Sequence, residues 1–182
     1  TGVVSVQCLE GDAVWQARDN GLWSVELATA ACDAIQNKPE GPMEDHVKDP
    51  AVFLVEYADG LKTATLMLSG YISDFSYAAR VDGQVQGIEF YLQNEGPFSH
   101  FGYLCRNVQD FFRTKKAPYP PERTLLTTGI IDAAMNSRHD YHRKIETPYL
   151  NIAYSSYEKL PQRPSGTRPA GASIDPQAPD II

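Results

Sequence analysis

Hydrophobic and polar residues alternate at the start of the chain. Val4, Val6 and Cys8 interleave with Val3, Ser5 and Gln7, the period-two pattern of a strand with one buried face, and Gly11-Asp12 ends it. The period then changes. Leu27, Ala28, Ala31 and Ile35 recur at helical spacing behind Ser24, which predicts a helix over residues 24–36 with Ser24 as its N-cap. Trp15 and Trp23, ahead of it, read as packing residues. Residues 37–50 carry Pro39, Pro42 and Pro50 among mixed charges and read as an exposed loop free to move.

From Ala51 the pattern is β-branched and aromatic on both sides of Asp59-Gly60, which predicts a hairpin, because glycine accepts the positive φ of a tight turn. A second hairpin is expected from Phe75–Val81, a turn at Asp82-Gly83, and Val85–Leu92, giving four antiparallel strands in a meander. Phe101, Leu104, Val108, Phe111 and Phe112, spaced for one side of a helix, predict a helix lying on that sheet. After Pro118, Pro120 and Pro121, a stripe of Leu125, Leu126, Gly129, Ile130, Ala133 and Ala134 predicts a further helix ending near Arg138. Gly129 and Ala133 would let it approach a neighbour closely. Tyr149, Asn151 and Ala153 alternate with Leu150, Ile152 and Tyr154, a closing strand.

The fold expected is α+β: an open, mostly antiparallel β-sheet with helices packed on one face. It occupies residues 1–154 and is followed by an extended or disordered Pro-rich tail over 155–182, punctuated by Pro161, Pro164, Pro169, Pro176 and Pro179.

Composition narrows the function. With 182 residues, 23 acidic against 16 basic side chains and a formal charge of −7, the chain can bury a core, and a broad electrostatic grip on nucleic acid is not expected. No run approaches the about 18 to 20 apolar residues of a membrane span. The chain opens on Thr1, so the expectation is a piece of a longer protein, cytoplasmic, with export left open. Cys8, Cys32 and Cys105 show no Cys-x-x-Cys spacing and read as reduced, mostly buried thiols. His139-x-x-His142 is a close histidine pair, but Arg138, Arg143 and Lys144 around it would oppose a metal cation, so a solvated basic turn is expected there. No two glycines are separated by a single residue, which excludes Gly-x-Gly-x-x-Gly; Gly-x-Ser-x-Gly, a phosphate loop and His-Glu-x-x-His are absent too. Glu44 with Asp45, or Glu10 with Asp12, could share acid and base work only if buried together.

One constellation is more specific. The run from Tyr119-Pro120-Pro121-Glu122-Arg123 through Asn136-Ser137-Arg138, followed by Ile145-Glu146-Thr147-Pro148-Tyr149-Leu150-Asn151-Ile152-Ala153-Tyr154, resembles the end of the C-terminal domain in the Gfo/Idh/MocA oxidoreductases, the glucose-fructose oxidoreductase and inositol dehydrogenase relatives. The opening Val6–Trp15, the Tyr57-Ala58-Asp59-Gly60 hairpin and the Phe101 helix follow in a similar order, so the likeness spans residues 1 to 155. The resemblance implies a two-domain enzyme in which an N-terminal Rossmann domain holds NAD or NADP, while a C-terminal α+β domain shapes a sugar or polyol pocket and pairs subunits. Only the second half is expected here. The family's Glu-Lys-Pro motif is not found (Glu158-Lys159-Leu160 is merely similar), nor is Gly-x-His-x-x-Asp, so no catalytic residue carries over and no cofactor is expected on this chain alone.

Substrate contacts would come from polar and aromatic side chains on the sheet or its loop ends. His100 and Arg123 are the first candidates, with Tyr77 and Tyr91, and Tyr71 beside them. Each has a plainer reading: His100 exposed at a helix start, Arg123 in a salt bridge with Glu122, Asp132 or another carboxylate, the tyrosines in a dimer interface. The expected partners are a second copy through the open sheet face, the N-terminal nucleotide-binding domain, and a small sugar or polyol. The alternative function is a free-standing, non-catalytic ligand-binding or dimerisation module.

Overall fold

The computed structural model describes residues 1–90 and 100–155. The fold is α+β with open, antiparallel sheets. The chain divides into two compact units, residues 1–90 with 121–154, and residues 91–120 with 155–182. In the first, β1 (Val3–Glu10), β2 (Ala51–Tyr57), β3 (Lys62–Met67) and β6 (Ile145–Glu146) form a sheet in the order β3-β2-β1-β6. A separate two-stranded sheet holds β4 (Phe75–Val81) and β5 (Gln84–Phe90). Its helices are α1 (Asp12–Asp19), α2 (Val25–Asp33) and α4 (Pro121–His139).

Both hairpin turns form where Asp-Gly predicted them. Gly60 has φ +87°, and the Asp59 carboxylate accepts from the Leu61 amide at 3.1 Å. At the second turn Asp82 and Gly83 take φ +50° and +79°, the pair of positive values that matches the twist of the flanking strands. Ser24 caps α2 as expected, its hydroxyl accepting from the Leu27 amide at 3.2 Å.

The single meander does not form. β4 does not pair with β3, which stays at the edge of the four-stranded sheet, and the second hairpin instead packs its Ala78/Gly87 face on α2; β1 lies on the far side of β2. The reason is steric: Gly87 has no side chain, and a Cβ there would stand 2.2 Å from the Ala30 carbonyl oxygen, so the helix backbone sits directly on the strand. Arg80 of β4 pairs with Glu26 of α2 beside this contact.

β2 is buried on both faces because alternate residues enter different cores. Phe53, Val55 and Tyr57 join Val6, Leu126, Ala133, Ala134 and Leu150 beneath α4. Val52 and Leu54 face the other way, into a core of Val14, Ala17, Trp23, Ala28, Cys32, Met43, Val47, Leu68 and Tyr71. Trp23 satisfies its indole N–H by donating to the Val14 carbonyl at 3.0 Å. Met43 and Val47 are buried, so the loop expected to be exposed and mobile is instead tethered by its apolar residues. The helix α1, which contains Trp15, was not signalled by the periodicity: eight residues make too few turns for an apolar stripe to repeat.

Two smaller departures concern register. An irregularity between Val3 and Ser5 shifts β1, so Val3 is buried and Val4 is exposed, the reverse of simple alternation. The closing strand lies earlier and is shorter than expected: β6 is Ile145–Glu146, and Pro148–Leu150 form a single 3₁₀ turn that drops Leu150 into the α4 core. Gly129 receives it, since a Cβ there would meet the Leu150 side chain at 2.4 Å.

In the second unit the described element is α3 (His100–Thr114). The five apolar residues expected to lie on the sheet, Phe101, Leu104, Val108, Phe111 and Phe112, are all exposed. Cys105 is exposed as well, whereas Cys8 and Cys32 are buried, and all three thiols are free. The proline-rich tail beyond Ser155 and the strand end expected at residues 91–92 lie outside the described residues.

Gly87→Ala is expected to destabilise the fold by about 1 to 3 kcal/mol, because backbone, rather than a yielding side chain, blocks the added methyl. Gly102→Ala in α3, where a Cβ meets nothing within 4 Å, should be neutral or stabilising by up to about 1 kcal/mol. Urea unfolding of both variants checks this, and equal effects would contradict it.

Candidate functional site

β6 is two residues long, and this leaves a gap. A strand residue sends its N–H and C=O to the same side, and those of Cys8 point away from β2, beyond the reach of β6. Both groups are satisfied by the C-terminal end of α4 and the turn after it. The Cys8 amide donates to Ser137 Oγ at 2.9 Å, and its carbonyl lies 3.1 Å from His142 Nδ1. Ser137, fully buried, donates in turn to the Arg143 carbonyl at 2.7 Å, and Gln7 Nε2 donates to the His142 carbonyl at 2.8 Å. The α4 end thus completes the edge of β1.

Placing the imidazole there forces the backbone. Tyr141 and His142 both adopt left-handed conformations, φ +56° and +64°, each an uncommon state for a residue with a side chain. Ladder-like bonds hold the turn: the His142 amide donates to the Ser137 carbonyl at 2.8 Å, and the Arg143 guanidinium holds the Asp140 carboxylate at 2.9 Å. Asp140 lies below the usual carboxylate range, chiefly through its hydrogen bond to His139 and then through Arg143.

Around this edge stand Cys8, Glu10 and His142, whose Sγ, carboxylate oxygen and ring nitrogen lie within 4.8 Å of one another. Glu10 projects from β1 on the same face as Cys8. Arg138 grips both of its oxygens at 3.0 Å, and His142 Nε2 lies 3.9 Å from Oε2. Burial pushes the Cys8 thiol up, Glu10 adds to the shift, and Arg138 partly offsets it. The cations expected to repel a metal here all have carboxylate partners: Arg138 with Glu10, Arg143 with Asp140, Lys144 with Glu56. His139 points elsewhere, exposed and beside its neighbour Asp140. The histidine pair is therefore not the unit that matters; His142 groups with Cys8 and Glu10.

Of the predicted substrate residues, Tyr77 and Arg123 lie in the first unit and His100 in the second. Tyr77 is exposed on β4, on the face of the second hairpin away from α2, with Phe75, Ile88 and Phe90, all exposed. Arg123 is exposed in the first turn of α4, and the Asp132 carboxylate considered for it accepts from Asn136 at 3.2 Å. His100 opens α3, in the other unit. Tyr91 lies outside the described residues. Tyr71 is buried, not pocket-lining: it stacks on His46, accepts from Lys38 at 3.4 Å and donates to the Gly41 carbonyl at 3.2 Å. A cavity of 370 Å³ at the start of β1 is lined by Gly2, Val3, Val4, Ala58, Glu146, Pro148 and Asn151, none of them a predicted contact. The carboxylates considered for acid and base work are not buried together: Asp12, Glu44 and Asp45 are exposed, Glu44 pairs with Arg18, and Glu10 pairs with Arg138.

Spacing could not reveal the Cys8–Glu10–His142 group, because Cys8 and His142 lie on segments 134 residues apart. Its one local signal was Cys8-x-Glu10, two residues on one face of a predicted strand. Among the described residues no helix is long and apolar enough to cross a membrane. Comparison with protein-family models, with curated proteins and with solved structures found no match to this chain.

Ser137→Ala is expected to cost about 1 to 3 kcal/mol in urea unfolding, since it strands a buried amide and removes a donor from the Arg143 carbonyl. A loss no larger than that of an exposed control such as Thr127→Ala would contradict the edge-closing role. With its pKa depressed in the fold, Asp140 contributes stability above the ordinary carboxylate pKa and loses it as pH falls through the lower folded value. The Asp140→Asn variant should therefore be less stable than wild type at neutral pH, and the two should converge under acid; an unchanged gap would contradict the pairing.

Proposed function

We propose that this chain is the substrate-binding and oligomerisation half of an NAD(P)-dependent oxidoreductase that acts on a sugar or polyol. The observation that carries the reading is the outer face of the β4–β5 hairpin. Phe75 faces Phe90 and Tyr77 faces Ile88 across the strands, and all four are about half exposed or more, on a surface that no core of the unit uses. An apolar sheet face with a hydroxyl-bearing aromatic suits subunit pairing or the flat side of a sugar ring. The four-stranded sheet does not offer such a face along β1 and β2, since a core covers each side of it.

In this reading the cofactor is not held by this half. Every described strand pair is antiparallel, so no described βαβ crossover aims a helix N-terminus at a pyrophosphate, and the sequence has no Gly-x-Gly turn. NAD or NADP belongs, in this reading, to an N-terminal domain, and the present chain contributes positioning of the substrate. His100 and Arg123 remain the proposed polar contacts, with Tyr77 and Tyr91 as the aromatic ones. The buried, free thiols Cys8 and Cys32 suit a reducing compartment, which favours the cytoplasm.

Light scattering on the 182-residue chain should give a dimer, and Ile88→Asp, at an exposed position, should yield a monomer with unchanged circular dichroism. Calorimetry with inositol and glucose should show binding that Arg123→Ala weakens. The coding sequence ahead of Thr1 should hold a glycine-rich βαβ domain of about 120 to 150 residues. Absence of that domain would overturn the enzyme reading in favour of a free-standing module; a monomer that binds no sugar would overturn both.

A further inference from the structure

We infer that Cys8, Glu10 and His142 form a binding site for a borderline divalent cation of the zinc type, at the edge of β1 closed by the α4 turn. The three ligand atoms, a thiol sulfur, a carboxylate oxygen and an imidazole nitrogen, are the donor set that such a cation takes, and they converge within 4.8 Å. A second observation points the same way. His142 Nδ1 faces the Cys8 carbonyl at 3.1 Å, and a carbonyl only accepts, so Nδ1 carries the hydrogen and the neutral ring leaves the Nε2 lone pair open on the side of Glu10. Metal-binding histidines are oriented in this way, one nitrogen donating to a backbone carbonyl while the other ligates.

The charge balance allows it. Each basic side chain of the turn is already matched by a carboxylate, so the site lies beside neutralised pairs rather than an uncompensated cation cluster. Glu10 can ligate through Oε2 while Oε1 stays with Arg138 Nη2, and the guanidinium then holds the carboxylate in place. Bond lengths of about 2.0 to 2.3 Å to a tetrahedral ion put ligand atoms about 3.3 to 3.8 Å apart, so the group must close by roughly 1.5 Å at most. Glu10 and His142 are half-buried and reach solvent, so their side chains can supply that closure, and water can fill the fourth position. Cys8 is fixed in the core and sets the floor of the site. On binding, the Cys8 S–H bond breaks, its proton passes to solvent, and the sulfur electron pair forms the bond to the ion; no oxidation is involved.

The test uses the full chain carrying Cys105→Ser, which removes the exposed thiol. Titration with Co²⁺ alone should give one equivalent bound, a near-ultraviolet sulfur-to-cobalt charge-transfer band, and one proton released per ion, with Zn²⁺ displacing the cobalt. His142→Ala and Glu10→Gln, both at half-buried positions, should weaken binding at least tenfold and diminish the band, with circular dichroism confirming that each is folded. His139→Ala, on the exposed side of the same turn, should bind as the parent does. No charge-transfer band, or equal binding by the His142 and His139 variants, would overturn the proposal; so would a band that survives Glu10→Gln at full affinity.

Discussion

A sheet cannot leave a backbone amide and carbonyl pointing into a packed interior without a partner, and β1 faces that constraint on the side where β6 stops. Cys8 is 1% exposed, so water cannot do the work. The chain solves it with one hydroxyl and one imidazole, Ser137 at the end of α4 and His142 in the turn that follows. Much else follows from that solution. The helix must end where Ser137 meets the strand, the turn must pass through two left-handed residues, and β6 must begin within a few residues to pair with Ser5 and Val6.

The same closure brings chemistry together. Because Cys8 is held by its backbone, its side chain and that of Glu10 lie along one face of β1, and the imidazole that satisfies the carbonyl is carried to their side. Arg138 is one residue after Ser137, which puts its guanidinium on Glu10. A structural requirement has therefore assembled a thiol, a carboxylate and an oriented imidazole. The outer face of the β4–β5 hairpin is a separate surface: α2 takes the inner face through Gly87, and the aromatic residues are left to face outward.

Much of the fold was legible in the sequence where the information was local. The Asp-Gly turns, the Ser24 cap, the β4 limits and α4 all depend on residues near one another, and backbone sterics or one hydrogen bond decides them. What failed was non-local. Nothing in Lys62–Met67 or Phe75–Val81 says that β4 leaves β3 for α2, and nothing in Val3–Glu10 says that it lies beside β2, across a gap of about 40 residues. The buried role of Met43 and Val47 was hidden by the prolines around them, and Tyr71 looked like a pocket residue because its neighbours in the core, Trp23 and Val47, are remote in sequence. The site was less legible still. Residues 138–144 read as a solvated basic turn, and the carboxylates that pair with Arg138 and Lys144, Glu10 and Glu56, come from strands far from it.

The claim beneath this account is that Ser137 and His142 stand in for a missing strand beside Cys8. Native-state hydrogen exchange at the Cys8 amide tests it most directly. The account predicts protection comparable to that of the most protected β2 amides, with exchange only through global unfolding. Exchange at the rate of a free sheet edge, while β2 stays protected, would contradict it.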